Sequence, residues 1–267
     1  MHSRTLEPER LIGRRALRGR AAGAAATLVV SQALVACAAD AVTGASDSSG
    51  TSDAASGAGA GSASGNSSCI LTAALTEGPY FVDEKLNRSD IRADPSTGVL
   101  SAGVPLHLTF NVARVANSAC MPLTGAYLDV WHCDAAGVYS DESANGSLGR
   151  KFLRGYQITD ANGVAQFTTI YPGWYRGRAV HVHFKLRLFT GATKSYEFTS
   201  QFFFDENLTS QVHALSPYST HGSRDTRNTT DGIYNSLSTA AKAALTLNAT
   251  KTNDGYSGAI DLTVSVG

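Results

Sequence analysis

The sequence has no excess of charge of either sign, because 22 lysines and arginines balance 22 aspartates and glutamates among its 267 residues. No stripe of basic side chains runs along the body of the chain. Proteins that bind nucleic acid usually carry such a stripe, since contacts with phosphate groups dominate their affinity. The composition therefore excludes nucleic acid as an expected partner.

The N-terminal segment lacks an apolar run long enough to span a membrane. Its apolar stretch, 21–36, is short and rich in alanine, and it follows a basic region. This arrangement predicts a signal peptide over residues 1–36. The pair Arg14-Arg15 leaves both twin-arginine and ordinary secretory export open.

The signal peptide ends in the sequence Leu34-Val35-Ala36-Cys37, which resembles a bacterial lipobox. That resemblance implies cleavage before Cys37, a lipid on the Cys37 side chain and attachment of the mature protein to the membrane of the bacterial cell envelope. The alternative is an ordinary secretory signal, with Cys37 incidental and the protein secreted.

Residues 37–68 lack large apolar side chains apart from Val42 and consist mainly of Ala, Gly, Ser, Thr and Asp. Such a segment buries too little apolar surface to offset the entropy lost on ordering. We expect a flexible tether with a span on the order of 30 Å. It would separate a single domain, residues 69–267, from the membrane.

Cysteine is scarce: after Cys37 only Cys69, Cys120 and Cys133 remain. An exported protein can form disulfides, and the odd count leaves at least one free thiol or an intermolecular bond. Cys133 lies in a predicted strand, where a buried free thiol is expected. Cys69 with Cys120 is therefore the favoured pair, while the other pairings stay open.

Alternating apolar residues and regularly spaced turns predict an all-β sandwich. The predicted strands are 104–115, 125–131, 155–159, 164–170, 181–189, 196–204, 243–249 and 258–266. The turn Asp160-Ala-Asn-Gly163 predicts a β-hairpin. Residues 205–235 are predicted as a long irregular connection, with helix limited to short turns near 210–215 or 236–241.

One of these strands carries a His-x-His pair, His181 and His183. Side chains at i and i+2 of a strand point to the same face, so both imidazoles face one space. Tyr175 and Arg178 lie just before the pair, after a Pro-Gly turn. A second aromatic segment, 131–140, ends at a turn with Tyr139. The pair alone is a weak metal signal, and these neighbours strengthen it.

Four segments carry a resemblance to a family: TEGPYF (76–81), DVWHCDAAGVYS (129–140), 152–184 and TSQFFF (199–204). Together they resemble the intradiol ring-cleavage dioxygenases, which include catechol 1,2- and protocatechuate 3,4-dioxygenases. The resemblance covers roughly residues 69–266 in the family's order. It implies an antiparallel β-sandwich that carries a ring-cleaving oxidoreductase activity.

The family holds one non-haem Fe(III) per chain with two tyrosines and two histidines. The matching residues here are Tyr139, Tyr175, His181 and His183. Two phenolates and two imidazoles suit a trivalent iron ion better than a soft metal ion.

The resemblance also implies a reaction. A catechol binds the iron, the tyrosine matching Tyr175 leaves the metal and takes a proton, and Tyr139 stays bound. With O2 the ring then opens between its two hydroxyl-bearing carbons and gives a cis,cis-muconate. Arg178 matches an arginine that stabilises charge on the ring. Gln201 matches an active-site glutamine, and Pro79 and Tyr80 match a segment that borders the substrate pocket.

Two other classes of function stay open on the sequence. One is a tethered, non-catalytic sandwich that binds a partner. The other is a Zn or Cu enzyme that uses the His-x-His pair with a further histidine. The N-terminal helical segment with which the family often forms dimers has no counterpart here, so the oligomeric state is open. Catechol, hydroxyquinol and protocatechuate all remain candidate substrates.

Overall fold

A computed structural model describes residues 69–266. The predicted signal peptide 1–36 and the predicted tether 37–68, with Cys37, lie outside these residues. Ten strands lie in the described part: β1 Pro105–Ala116, β2 Ala119–Pro122, β3 Tyr127–Trp131, β4 Arg154–Ile158, β5 Val164–Ile170, β6 His181–Thr190, β7 Thr193–Phe204, β8 Thr246–Leu247, β9 Thr250–Lys251 and β10 Tyr256–Val264. Three short α-helices lie in the connection between β7 and β8: α1 Glu206–His213, α2 Gly232–Asn235 and α3 Thr239–Ala244.

The strands form two sheets that pack face to face, so the predicted β-sandwich is confirmed. The first sheet has the order β2-β1-β10-β9, with β5 also paired to β1, and the second has the order β4-β3-β6-β7-β8. Both sheets are mixed, because β1 pairs with β10 and β7 pairs with β8 in parallel. The remaining pairs are antiparallel.

Alternation along the strands builds the core between the sheets. In β1, every second residue from Leu106 to Val112 is buried. Phe110 of the first sheet contacts Phe184 and Phe202 of the second, with ring centroids 5.8 and 6.0 Å apart. Residues of one strand face point to the same side, so the other face of β6 and β7 points away from this core.

An arm, residues 72–91, crosses that outer face of the second sheet. Its backbone bonds to β10 through Thr72, to β7 through Leu75, to β4 through Arg88 and to β5 through Ile91. Two ion pairs join its side chains to β6, Glu77 with Lys185 and Asp83 with Arg187. The arm therefore buries polar side chains that an exposed sheet face would leave in water.

Three predictions of local structure were wrong. The turn Asp160–Gly163 is present, but it passes from the second sheet to the first, because β4 pairs with β3 while β5 pairs with β1. Residues 205–235 are not irregular throughout, because they contain α1 and α2, although α1 overlaps the helical turn predicted near 210–215. Most of the predicted strand 243–249 is not a strand: α3 ends at Ala244, and only Thr246–Leu247 pairs with β7. Its alanines favour helix, and Ser238 caps it.

The cysteine predictions are confirmed. Cys69 and Cys120 form a disulfide that ties the start of the described chain to β2. Cys133 is a buried free thiol whose pKa is raised by burial. Within residues 69–266 no helix is long and apolar enough to cross a membrane.

Candidate active site

Strand β6 separates two environments. Val182, Phe184 and Leu186 pack in the core between the sheets. The side chains that alternate with them face the opposite way, beneath the arm, and all are buried: His181, His183, Lys185 and Arg187. The period of two residues along a strand therefore puts both histidines on the polar outer face, as the sequence predicts.

Two phenol oxygens and two imidazole nitrogens meet next to this face. His181 Nε2 lies 2.9 Å from His183 Nε2, 3.2 Å from Tyr175 Oη and 3.5 Å from Tyr139 Oη. Tyr139 comes from the loop after β3, and Tyr175 comes from the turn before β6. The structure thus brings together all four of the residues that the sequence selected as metal ligands.

These four donors fit one metal ion. Ligands about 2.0–2.1 Å from a first-row ion, in neighbouring positions, lie roughly 3 Å from each other. The three distances measured from His181 Nε2 are close to this value. The set combines two hard phenol oxygens with two imidazole nitrogens, which favours Fe(III) over soft metal ions.

The protonation states of the four groups follow from burial. Burial, together with the nearby positive charge of Arg178, lowers the pKa of His181 to about 3. Burial and the neighbouring His181 imidazole lower the pKa of His183 well below its ordinary value. Both histidines are therefore neutral, as metal ligation requires. Burial raises the pKa of Tyr175 to about 12 and that of Tyr139 well above its ordinary value. A bound cation would reverse this effect on the phenols and favour phenolates.

The imidazole rings are oriented in two different ways. The Nδ1–H of His181 donates to the Ala179 carbonyl oxygen at 2.7 Å, which leaves the Nε2 lone pair facing the tyrosine hydroxyls. His183 stacks on Trp131, with ring centroids 4.9 Å apart and planes 9° from parallel. In the described chain its buried Nδ1 has no hydrogen-bond partner. Stacking therefore sets the plane of the His183 ring.

The arm forms one wall of the site. Tyr80 stacks on Tyr139, with centroids 4.4 Å apart, and its ring meets Tyr175 edge-on at 6.1 Å. Gly78 has φ +71°, and a Cβ atom there would lie 3.3 Å from the His183 ring. Pro79, between them, is exposed. Tyr80 thus contacts two members of the ligand cluster, whereas the Pro79 side chain is exposed.

Arg178 is held beside the cluster by two side chains. Its Nε–H donates to Asp231 Oδ2 at 2.9 Å, and its Nη2–H donates to Gln201 Oε1 at 2.7 Å. Gln201 in turn donates to the Thr76 carbonyl oxygen of the arm at 2.6 Å. By contrast, the Arg176 side chain is 95% exposed. Arg178, and not Arg176, is therefore the arginine of the site.

A third histidine ligand, which the Zn or Cu hypothesis needs, is absent from the part of the chain that the structure describes. His132, the buried candidate, uses its ring nitrogens to contact the Cys133 carbonyl at 2.8 Å and Thr169 Oγ1 at 2.6 Å. No group of three or more His, Cys, Asp and Glu side chains within residues 69–266 is arranged to hold a metal ion. With both ring nitrogens used in this way, His132 has a structural role.

Two groups next to the site, Asp231 and Lys185, are not among the site residues predicted from the sequence. Asp231 binds Arg178, but it lies 53 positions away in a segment predicted as irregular. Lys185 is buried beneath the arm and forms ion pairs with Glu77 and Glu197. An Asp before a short helical stretch signals an N-cap, and Lys185 continues the alternation of His181 and His183. Neither of these sequence signals predicts which distant side chain Asp231 or Lys185 contacts.

The chain is similar to known proteins in sequence and in fold. Residues 76–214 match a family model described as Dioxygenase. An intradiol ring-cleavage dioxygenase from Tetranychus urticae is 29% identical, with a TM-score of 0.61, over 74% of this chain and 95% of that one. The dioxygenase domain of a dioxygenase carbohydrate-binding protein fusion from Streptomyces sp. SirexAA-E is 26% identical, with a TM-score of 0.53, over 74% and 100%. No curated protein matches the chain.

A more distant solved structure shares the fold. The 3-chlorocatechol 1,2-dioxygenase from Rhodococcus opacus 1CP is 21% identical, with a TM-score of 0.51, over 73% of each chain. The family model covers just over half of the 267 residues and includes the four converging donors and Arg178. On this evidence the chain belongs to the dioxygenase family and has the β-sandwich fold of the intradiol ring-cleavage dioxygenases.

Proposed function

We propose that the protein is an Fe(III)-dependent intradiol dioxygenase that uses O2 to open a catechol-type ring between its two hydroxylated carbons. The product would be a cis,cis-muconate-type diacid. One observation carries the proposal: His183 Nε2 and the hydroxyl oxygens of Tyr139 and Tyr175 all lie within 3.5 Å of His181 Nε2. A sandwich that only bound a partner would have no use for this buried set of donors.

Tyr139, Tyr175, His181 and His183 would hold one ferric ion per chain. When bound, the ion would supply Lewis acidity that favours the deprotonated forms of the tyrosines and of a catechol, and that makes the catecholate reactive toward O2. The two neutral histidines leave the negative charge of the site to the phenolates and the substrate.

The two tyrosines would play different parts because their surroundings differ. Tyr139 is 1% exposed, stacks on Tyr80, and has its backbone carbonyl oxygen bound by the Ser147 hydroxyl at 2.6 Å. Tyr175 lies in a turn and remains partly accessible. This contrast supports Tyr139 as the constant ligand and Tyr175 as the residue that swings away and takes a proton from the incoming catechol.

Arg178 would stabilise negative charge on the ring as the ring is attacked. Its positive charge acts on both tyrosines and both histidines, which supports a position beside the same space. Asp231 and Gln201 hold two of its nitrogens, while its Nη1 makes no hydrogen bond within residues 69–266. That nitrogen is available to the substrate. Gln201 uses both ends of its amide on protein groups, so it would support Arg178 and not bind the ring itself.

The balanced reaction adds both atoms of O2 to the catechol, breaks the carbon–carbon bond between the hydroxylated carbons and makes each of them a carboxyl carbon. The test is turnover of catechol, hydroxyquinol and protocatechuate by the iron-loaded protein with 18O-labelled O2. We expect a muconate-type diacid that carries label from both atoms, apart from exchange with water. A yellow semialdehyde would show cleavage beside the hydroxyl groups and would refute the proposal, as would the absence of ring opening with every substrate.

A further inference from the structure

Asp231 is buried and fully bonded. Its side chain is 0% exposed. Oδ2 accepts hydrogen bonds from Arg178 Nε at 2.9 Å and from the Ala179 amide at 2.7 Å. Oδ1 accepts from the amides of Ile233 at 2.7 Å and Tyr234 at 2.9 Å, and so caps α2. One carboxylate therefore links the start of a helix, a residue two positions before the ligand-bearing strand β6 and the arginine of the site.

The carboxylate is charged where it meets Arg178. Burial by itself would favour the neutral acid, but hydrogen bonds from the Tyr234 and Ala179 amides and the charge of Arg178 lower the pKa of Asp231 below its ordinary value. A hydrogen bond between two charged groups is shorter and stronger than one between neutral groups. The contact is therefore strong enough to hold a long side chain in one position.

The geometry of the guanidinium explains why the position matters. The group is planar and its donors form a rigid fork. Asp231 fixes Nε, and Gln201 fixes Nη2 on another edge. Because these two nitrogens are fixed, the plane of the Arg178 guanidinium is fixed, and so is the direction in which its third nitrogen, Nη1, points. With Gln201 alone, the end of the side chain could rotate about one hydrogen bond.

We propose that Asp231 is a positioning residue, which holds the guanidinium of Arg178 against the ring of the substrate; this role rests on the proposed ring-cleavage function. It concerns a residue beyond the segment that matches the family model, which ends at residue 214. Asp231 touches neither the substrate nor the four ligands with its side chain, so it acts through Arg178.

The competing explanation is that Asp231 only caps α2. Asp231→Asn separates the two, because asparagine caps helices as well as aspartate does but offers Arg178 no charge. Asp205→Asn is the matched control. Asp205 caps α1 by accepting from the amides of Asn207 and Leu208, both at 2.9 Å, and makes no contact with Arg178.

The kinetic experiment compares Asp231→Asn, Arg178→Ala and the double variant as full chains loaded with iron, with catechol as substrate. Loss of an orienting partner typically lowers activity about 10- to 100-fold. We expect kcat to fall by this factor in Asp231→Asn, while Asp205→Asn stays near the wild type. In the Arg178→Ala background, Asp231→Asn should cause no further loss, because residues that act as one unit are not additive.

Three kinetic outcomes are decisive. An unchanged kcat in Asp231→Asn refutes the positioning role. Equal losses in the wild-type and Arg178→Ala backgrounds also refute it and leave Asp231 as a structural cap. A wild-type protein that opens none of catechol, hydroxyquinol and protocatechuate refutes the proposed function, and the role of Asp231 with it.

A second measurement needs neither turnover nor a folded Asp231 variant. The measurement is NMR of the iron-free full chain. The arginine Nε–H resonance that the wild type shows and Arg178→Ala lacks belongs to Arg178. In the wild type that proton should exchange slowly with water, because Nε donates to a buried carboxylate. Fast exchange, equal to that of Arg176, would show that Asp231 does not hold Arg178.

Discussion

Lys185→Met would remove the buried charge that joins β6 to the arm. The Lys185 side chain is 4% exposed, and its ammonium pairs with Glu77 and, at 3.1 Å, with Glu197. It also lies 4.2 Å from the centre of the Phe81 ring. Methionine has a similar length and fills the same space, so the substitution tests the charge and not the packing.

The structure sets the size of the effect. Removing one partner of a fully buried ion pair costs about 3–5 kcal/mol, because the other charge is left without water. Here the side chains of Glu77 and Glu197 are 40% and 34% exposed, so water can solvate them once Lys185 is gone. This reduces the expected loss to about 1–2 kcal/mol. For a domain of this size that corresponds to a melting temperature lower by about 2–8 °C.

Lys185→Met should also affect catechol binding at the site. Glu77 precedes Gly78, which packs against His183, and the arm carries Tyr80 onto Tyr139. A looser arm should raise KM for the catechol more than it lowers kcat. Iron content should be unchanged, because the four ligands keep their own supports.

The assay is thermal unfolding together with steady-state kinetics, and Lys194→Met is the matched control. Lys194 pairs with the same Glu197, but its side chain is 49% exposed. Its loss should cost at most about 0.5 kcal/mol. If Lys185→Met melts like the wild type with the same KM, or if both variants lose equal stability, then the ion pair does not hold the arm.

Three further predictions concern the cluster and the N-terminal segment. Arg178→Ala should lower kcat about 100- to 1000-fold while iron content and colour persist, whereas the exposed Arg176→Ala should cost far less; equal losses in kinetic assays would contradict this. Tyr139→Phe should weaken the visible phenolate-to-iron absorption of the purified protein, because one of two phenolates is lost; an unchanged spectrum would exclude Tyr139 as a ligand. Cys37→Ala should move the mature protein from the membrane fraction to the soluble fraction on centrifugation, and unchanged partitioning would end the lipoprotein hypothesis.

Short-range pattern was enough to predict the long strands and to place the two histidines on one face. The alternation in 104–115 and 181–189 predicted β1 and β6, because a strand with one buried face must repeat every two residues. The same period placed His181 and His183 on one face without any knowledge of the fold. Resemblance to the family, and not periodicity, added Tyr139 and Tyr175.

The pairing of the strands in the two sheets could not be predicted from short-range pattern. The turn Asp160–Gly163 has the residues of a hairpin, but a tight turn sets only the direction of the chain and not the sheet that the next strand joins. Tertiary packing put β5 beside β1 and left β4 with β3. The alanines of 239–244 and the N-cap Ser238 favour the helix α3, which occupies the start of the strand predicted at 243–249.

The amino-acid sequence by itself determined the class of fold and the shared face of His181 and His183, since these depend on residue type, spacing and local period; it favoured one disulfide pairing among several, and resemblance to the family added the two tyrosines. Only the tertiary structure decided which charged groups pair with the side chains at and beside the site. Asp231 meets Arg178 across 53 positions, and Glu77 meets Lys185 beneath the arm. Such contacts depend on how distant segments cross a sheet face, and the free energy of burying a charge selects partners only once those segments are folded together.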